Sequence, residues 1–187
     1  CLYGVGLDNI DVQAATEHGI IVTNVPDYCM EETSDHAMAL LLACARSLVK
    51  LTNATRNGQW NLQIGRKYPR LNQQTLGLIG FGNIAQALVP KALGFGLHVI
   101  AYTPRLTAER AGSFADKIEI TNNLNHLLSQ SDYVSLHLPA TAETHHLIDA
   151  AALQQMKPTA YLINTARGSI VDEAALLHAL QNGQIQG

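Results

Sequence analysis

Two stretches of the sequence carry residue types whose spacing can do chemistry. The first is "GLIGFGNIAQALV" at residues 77–89, where Gly80, Gly82 and Ala85 stand at the change from an apolar run to a helical pattern. Gly80 permits a tight turn, Gly82 lacks the Cβ that would keep a pyrophosphate off the backbone, and a small residue at 85 keeps helix close to strand. The N-terminus of the helix then offers free N–H groups and the positive end of its dipole to phosphate. A plain glycine-rich turn is the bland alternative. The strand before the motif, the helix after it and the βαβ pattern that follows favour a dinucleotide site.

The residue closing the second strand of such a unit bears on which dinucleotide is bound. An Asp or Glu there accepts hydrogen bonds from the adenosine ribose and marks NAD. Here the strand ends at Tyr102–Thr103, with Arg105 and Arg110 following. Thr103 does not repel a 2′-phosphate, and Arg105 offers one a planar, charge-assisted fork. The expected cofactor is NAD or NADP, with Thr103 and Arg105 tilting the choice to NADP. The alternative is a solvated Arg105 and NAD held with weaker ribose recognition.

The second stretch is "INTARGSIVDEAALLHAL" at 163–180, in which a buried strand ends at once in Arg167 and Gly168 before a capped helix. Ligands of open α/β sheets bind at the carboxyl ends of strands, so Arg167 falls on the same rim as Gly80 and Gly82. Facing a nicotinamide, an arginine can grip a 2-keto acid and polarise its C=O for hydride attack. The competing reading pairs Arg167 with Asp172 or Glu173.

Other reactive side chains read as structural. His137 falls in a strand, His145 and His146 in a polar loop, and His178 within a helix, while His18, His36, His98 and His126 sit in or beside other elements. No spacing places any of them against a keto oxygen. Cys29 and Cys44 read as small buried hydrophobes, and Glu31 and Glu32 as first-turn helix charges. No Cys/His cluster suggests a metal.

The elements that must position these residues alternate strictly. Strands are expected at 20–25, 75–80, 98–103, 117–120, 133–139 and 160–165. Helices are expected at 83–96 (kinked or broken by Pro90), 123–130, 149–156 and 172–183, with Asp8 or Asn9 capping a short helix that Gly19 ends. From Glu31 to Gly58 the pattern is one long helix, and 59–74 is aperiodic loop. This order predicts an α/β fold, a Rossmann-like doubly wound parallel sheet with helices on both faces. Apolar residues at 47% and charged ones at 14% exclude disorder, and a net charge of −3 without a basic run argues against nucleic acid. "AMALLLACA" is too short to span a bilayer. Three widely spaced cysteines suit reduced thiols in a cytoplasmic protein. Both ends fall in mid-pattern, so a longer protein is expected.

Together, "YGVGLDNID", "TLGLIGFGNIA", "LHLPATAETHHLI" and "INTARGSIVDEAAL" resemble the D-isomer-specific 2-hydroxyacid dehydrogenase family, and "NVPDYCMEETSDHAMALLLACAR" is similar to its C-terminal-binding-protein branch. The resemblance covers essentially the whole chain. It implies hydride transfer between NAD(P) and the C2 of a small 2-keto or 2-hydroxy acid, in a cleft between two domains. Residues 1–27 would be the last piece of a flavodoxin-like substrate domain. Residues 28–187 would be the dinucleotide-binding domain, incomplete at its C-terminal end and joined by the long helix. It implies that Val5 and Gly6 contact the substrate carboxylate and the nicotinamide side. Asn83 and Ile84 fall on the pyrophosphate turn, Thr103 at the ribose, and Leu138, Pro139 and Thr144 after the fourth strand. Thr165, Ala166 and Arg167 line the nicotinamide side. It also implies a homodimer, and a general-acid His tuned by a Glu, both beyond residue 187. Thr103 departs from the family's usual Asp. A dinucleotide-sensing co-regulator is the rival function.

Overall fold

The computed structural model describes residues 1–60, 69–104 and 112–187. Five parallel strands form its sheet: β1 (Thr75–Ile79), β2 (His98–Tyr102), β3 (Glu119–Thr121), β4 (Tyr133–Leu136) and β5 (Tyr161–Asn164). Their spatial order is β3-β2-β1-β4-β5, so the winding reverses between β1 and β4. The helices are α1 (Val12–Glu17), α2 (Met30–Ala45), α3 (Leu48–Arg56), α4 (Asn83–Gly94), α5 (Leu124–Gln130), α6 (Ala150–Gln155) and α7 (Glu173–Gln181).

Both faces of the sheet are covered, which is why its strands read as near-continuous apolar runs. Alternate side chains sort onto two cores. Leu76, Leu78, Val99, Ala101 and Ile163 pack with Ala85, Leu88 and Val89 of α4 and with Ala37, Met38 and Leu41 of α2. Ile79, Ile100, Val134 and Leu136 pack against Leu127 and Leu128 of α5 and Leu153 of α6. Four helices begin with an acid or amide accepting a backbone N–H: Asp11 from Ala14 (2.8 Å), Asn123 from His126 (3.1 Å), Asp149 from Ala152 (2.8 Å) and Asp172 from Ala175 (3.1 Å). The cap of α1 is thus Asp11, not Asp8 or Asn9, and Asp8 is left for another role.

Three expected elements differ. The helix expected from Glu31 to Gly58 is two helices meeting at a 60° bend. Ser47 takes a left-handed conformation (φ 49°) between them, a break that neither proline nor glycine announces. Residues 20–25 form no strand. Two backbone bonds, Leu2 N–Thr23 O (2.8 Å) and Val25 N–Gly4 O (3.0 Å), tie them to the N-terminal segment, and Ile20 and Ile21 are exposed. Pro90 does not break α4; it lies inside the helix at an exposed position. Of the stretch expected as aperiodic loop, residues 61–68 lie outside the described residues, and Leu71–Gln73 form a single 3-10 turn.

Gly77 shows how closely the layers approach. A Cβ there would run into Ser131 Oγ and the Leu127 side chain of α5. Gly77→Ala should therefore destabilise the protein by about 1–3 kcal/mol through overpacking. Urea unfolding would show it as a lower midpoint at unchanged slope.

Candidate functional site

The carboxyl ends of the strands carry the residues singled out above. β1 runs into Gly80, whose φ of +94° is open to glycine at low cost, and a Cβ there would collide with the backbone carbonyl of His137 after β4. The exits of β1 and β4 are thus in contact. Gly80 N donates to Tyr102 O and His137 N to Ile79 O, both at 2.8 Å, so the ladders continue one residue past the strands.

Gly82 is different in kind. Its φ is −82°, and nothing lies within 4 Å of where its Cβ would be. Neither strain nor packing within the chain calls for glycine there; an approaching ligand would. Gly82 is also the N-cap of α4 and supplies no side-chain cap. The first-turn N–H groups behind it, from Asn83 onward, have no intrahelical acceptor and suit phosphate oxygens.

Between these ends and the N-terminal segment lies a cleft of about 320 Å³. Gly82, Asn83 and Ile84 form one wall, and His137, Leu138 and Pro139 another. Thr165, Ala166 and Arg167 close the β5 side, and Val5, Gly6 and Asp8 face them. Ten of the residues singled out from sequence meet here. Thr103 follows β2 on the same rim but does not line the cleft. Gly80 shapes the turn without lining it. Thr144 also lies outside the lining: its hydroxyl donates to Pro139 O (2.7 Å) and accepts from Thr141 N (2.8 Å), stapling the loop after β4. Arg105 and Arg110 lie outside the described residues.

The turn after β5 is held by Asn164. Its side chain accepts from Ala166 N and donates to Arg167 O, both at 2.9 Å. Arg167 is thereby presented at the cleft, and it pairs with neither Asp172 nor Glu173. Its Nε donates to Asp8 Oδ2 (2.8 Å) and its Nη2 to Asp8 Oδ1 (3.1 Å), while Nη1 donates to Ala166 O (3.0 Å). These bonds hold the Asp8 carboxyl below the usual carboxylate range and raise the Arg167 guanidinium still further. Beside them the Thr165 hydroxyl is buried with no hydrogen-bond partner among the described residues, a polar atom on offer to a ligand. An uncapped helix end, an open Gly82 and an orphan hydroxyl together fit a dinucleotide.

Two lining residues escaped sequence reasoning. Asp8 looked like a helix cap, because its partner stands 159 residues away. His137 looked like a strand residue, and its strand ends one residue earlier. Its Nε2 lies 2.9 Å from Ser135 Oγ, and burial pushes its pKa down to about 4. The other expected structural histidines lie elsewhere: His145 and His146 stack on each other (3.9 Å) on an exposed loop, and His126 pairs with Glu119.

Comparison with known proteins places this geometry. The family described as "D-isomer specific 2-hydroxyacid dehydrogenase, NAD binding domain" matches residues 38–187. The glyoxylate reductase of Thermococcus litoralis is 43% identical over 195 residues, covering 99% of this chain and 57% of that protein. The D-3-phosphoglycerate dehydrogenase of Methanocaldococcus jannaschii is 40% identical, covering 98% of this chain and 34% of that protein. The D-lactate dehydrogenase of Aquifex aeolicus, solved with NAD and lactic acid, superposes with a TM-score of 0.86 at 34% identity, covering 98% of this chain and 54% of that one. The chain therefore spans a little over half the length of the glyoxylate reductase and the D-lactate dehydrogenase, and about a third of the D-3-phosphoglycerate dehydrogenase.

Three predictions follow from the geometry. Gly80→Ala should lower the melting temperature markedly, by about 2 kcal/mol or more of stability, because it meets both backbone and a positive φ. Gly82→Ala should leave the melting temperature unchanged and weaken dinucleotide binding, measured by calorimetry on the full-length protein. His137 should titrate by NMR near 4. Because its folded pKa lies below the unfolded value of about 6.5, stability is whole above that value. It is lost as pH falls toward 4, by up to ~3 kcal/mol.

Proposed function

The chain belongs to the D-isomer-specific 2-hydroxyacid dehydrogenases and carries their NAD-binding domain; from that membership we propose that the full-length protein reduces a small 2-keto acid to the D-2-hydroxy acid, and runs the reverse oxidation. The observation that carries the proposal is the placement of Arg167. It stands in one cleft with the uncapped N-terminus of α4, at the reversal between β1 and β4, where a substrate anion and a nicotinamide would meet. Residues 28–187 serve as the dinucleotide-binding domain, and residues 1–27 belong to the substrate-binding half.

The work of this chain is binding and polarisation. The α4 N-terminus and the open face of Gly82 receive the pyrophosphate, and Thr165 offers its hydroxyl on the nicotinamide side. The cofactor, when bound, supplies or accepts the hydride at C2. Arg167 draws the substrate carboxylate and carbonyl oxygen into its N–H fork, stabilising the negative charge that grows on oxygen as the hydride arrives. Val5 and Gly6 back the carboxylate from the opposite wall. His137, neutral through the physiological range, adds no charge to the reacting centre. The proton for the new hydroxyl comes from a histidine that the family resemblance puts after residue 187. For the cofactor, the end of β2 bears Thr103 and no carboxylate, which supports acceptance of NADPH in preference to NADH. Relatives named as reductases and dehydrogenases support catalysis over the co-regulator reading.

The test is a screen of glyoxylate, pyruvate and hydroxypyruvate with NADH and NADPH, using the full-length protein. Turnover of at least one 2-keto acid is expected, with NADPH bound more tightly. Arg167→Ala should lower kcat/KM by about 10²–10³-fold, and Arg167→Lys should recover little of it because an ammonium lacks the planar fork. Wild-type protein inert toward every 2-keto acid would end the proposal. Tighter NADH binding would end the Thr103 argument alone.

A further inference from the structure

We propose that Asp8 is a positioning residue: it seizes the side-on edge of Arg167 and so dictates that the substrate anion is received on the end-on edge. The inference rests on the reading of Arg167 as the substrate's anchor and adds how that anchor is aimed.

A guanidinium presents five N–H groups in a rigid plane. In this structure the side-on pair, Nε and Nη2, is taken by the two oxygens of Asp8 at 2.8 and 3.1 Å. One N–H of Nη1 is taken by Ala166 O at 3.0 Å. Two remain, one on each terminal nitrogen, and the end-on edge that Asp8 leaves is the one on which a carboxylate or a keto-acid O–C–C–O edge can be received. Arg167 thus enters the cleft with one usable edge instead of two.

Three features make this an arrangement for aim. The side chains of Arg167 and Asp8 are 43% and 49% exposed, and ion pairs at such exposure contribute little to stability. Their bidentate geometry does contribute orientation. Secondly, the pair passes directly over Gly6: a Cβ there would strike Arg167 Nη2 and lie 2.7 Å from Asp8 Oδ1. A Cβ at residue 6 would push both tips aside. Thirdly, the segment carrying Gly6 and Asp8 is itself secured, by Asn24 Nδ2 to Val5 O (2.9 Å) and Val25 N to Gly4 O (3.0 Å). An acid beside an anion-binding site repels its ligand. Here its charge is matched by the guanidinium edge that the ligand does not use.

The experiment compares Asp8→Ala, Asp8→Asn and Asp8→Glu in the full-length protein, with Arg167→Ala and the Asp8→Ala/Arg167→Ala double variant. The first readout is NMR of the Arg167 Nε–H. It should be ordered and slowly exchanging in the wild type, lost in Asp8→Ala and regained in Asp8→Glu. The second is steady-state kinetics with a 2-keto acid. Asp8→Ala should lower kcat/KM by about 10–100-fold, the order of losing one oriented contact, with cofactor Kd unchanged within twofold and Asp8→Glu restoring part. The double variant should be no worse than Arg167→Ala, because Asp8 acts only through Arg167. An Arg167 Nε–H equally ordered without Asp8, or a loss of activity that adds to that of Arg167→Ala, would overturn the proposal. A melting-temperature drop with kcat/KM intact would mark a structural tie and overturn it too. If the wild type turns over no 2-keto acid, the functional reading fails while the NMR readout still decides whether Asp8 aims Arg167.

Discussion

The site depends on one close passage, that of β1 past β4 at their carboxyl ends. Gly80 turns there with a positive φ, and its missing side chain is the space the His137 carbonyl occupies. Because both exits are pinned at that point, each by a 2.8 Å backbone bond to a neighbouring strand, the two chains leaving it must diverge. One becomes α4, with its free N–H groups, on one face of the sheet. The other becomes the wall of His137, Leu138 and Pro139. The cleft is the gap that divergence opens, and in doubly wound sheets such a reversal point is where ligands lodge.

Electrostatics then give the cleft a direction. At the β1 end the attraction for anions comes from backbone, the uncapped turn of α4 behind a bare Gly82. At the β5 end it comes from one guanidinium, three of whose five N–H donors are already bonded to Asp8 and Ala166. Between them His137 is held neutral by burial. A ligand with a diphosphate at one end and an uncharged ring at the other matches this gradient, leaving the guanidinium for a second, smaller anion.

What was legible in the sequence was what repeats or stays local. Apolar runs alternating with helical patterns located all five strands, and side-chain spacing in the glycine turn located the junction of β1 with α4. Strand ends were overextended where the pattern outlasts the pairing: "HLP" continues the apolar run of β4, but pairing in the sheet stops at Leu136. Ile20–Val25 has strand composition yet too few backbone partners to be one. The bend after α2 was invisible because Ser47 adopts a backbone state usually left to glycine. Asp8 was the least legible of all. Local reasoning offers an acid only nearby roles, so it became a cap, and Arg167 was weighed against the acids next to it in sequence.

The separation of that pair has a consequence for how the chain folds. Asp8 and Arg167 are 159 residues apart, and all five strands lie between them. Closing so long a loop costs chain entropy, and the cost falls once the intervening parallel sheet has shortened the path. The aimed guanidinium is therefore among the last local structures the chain can complete. An unfinished fold carries an arginine that swings free and reads as an ordinary surface charge. The orientation of Arg167 thus depends on the finished sheet that brings Asp8 to it.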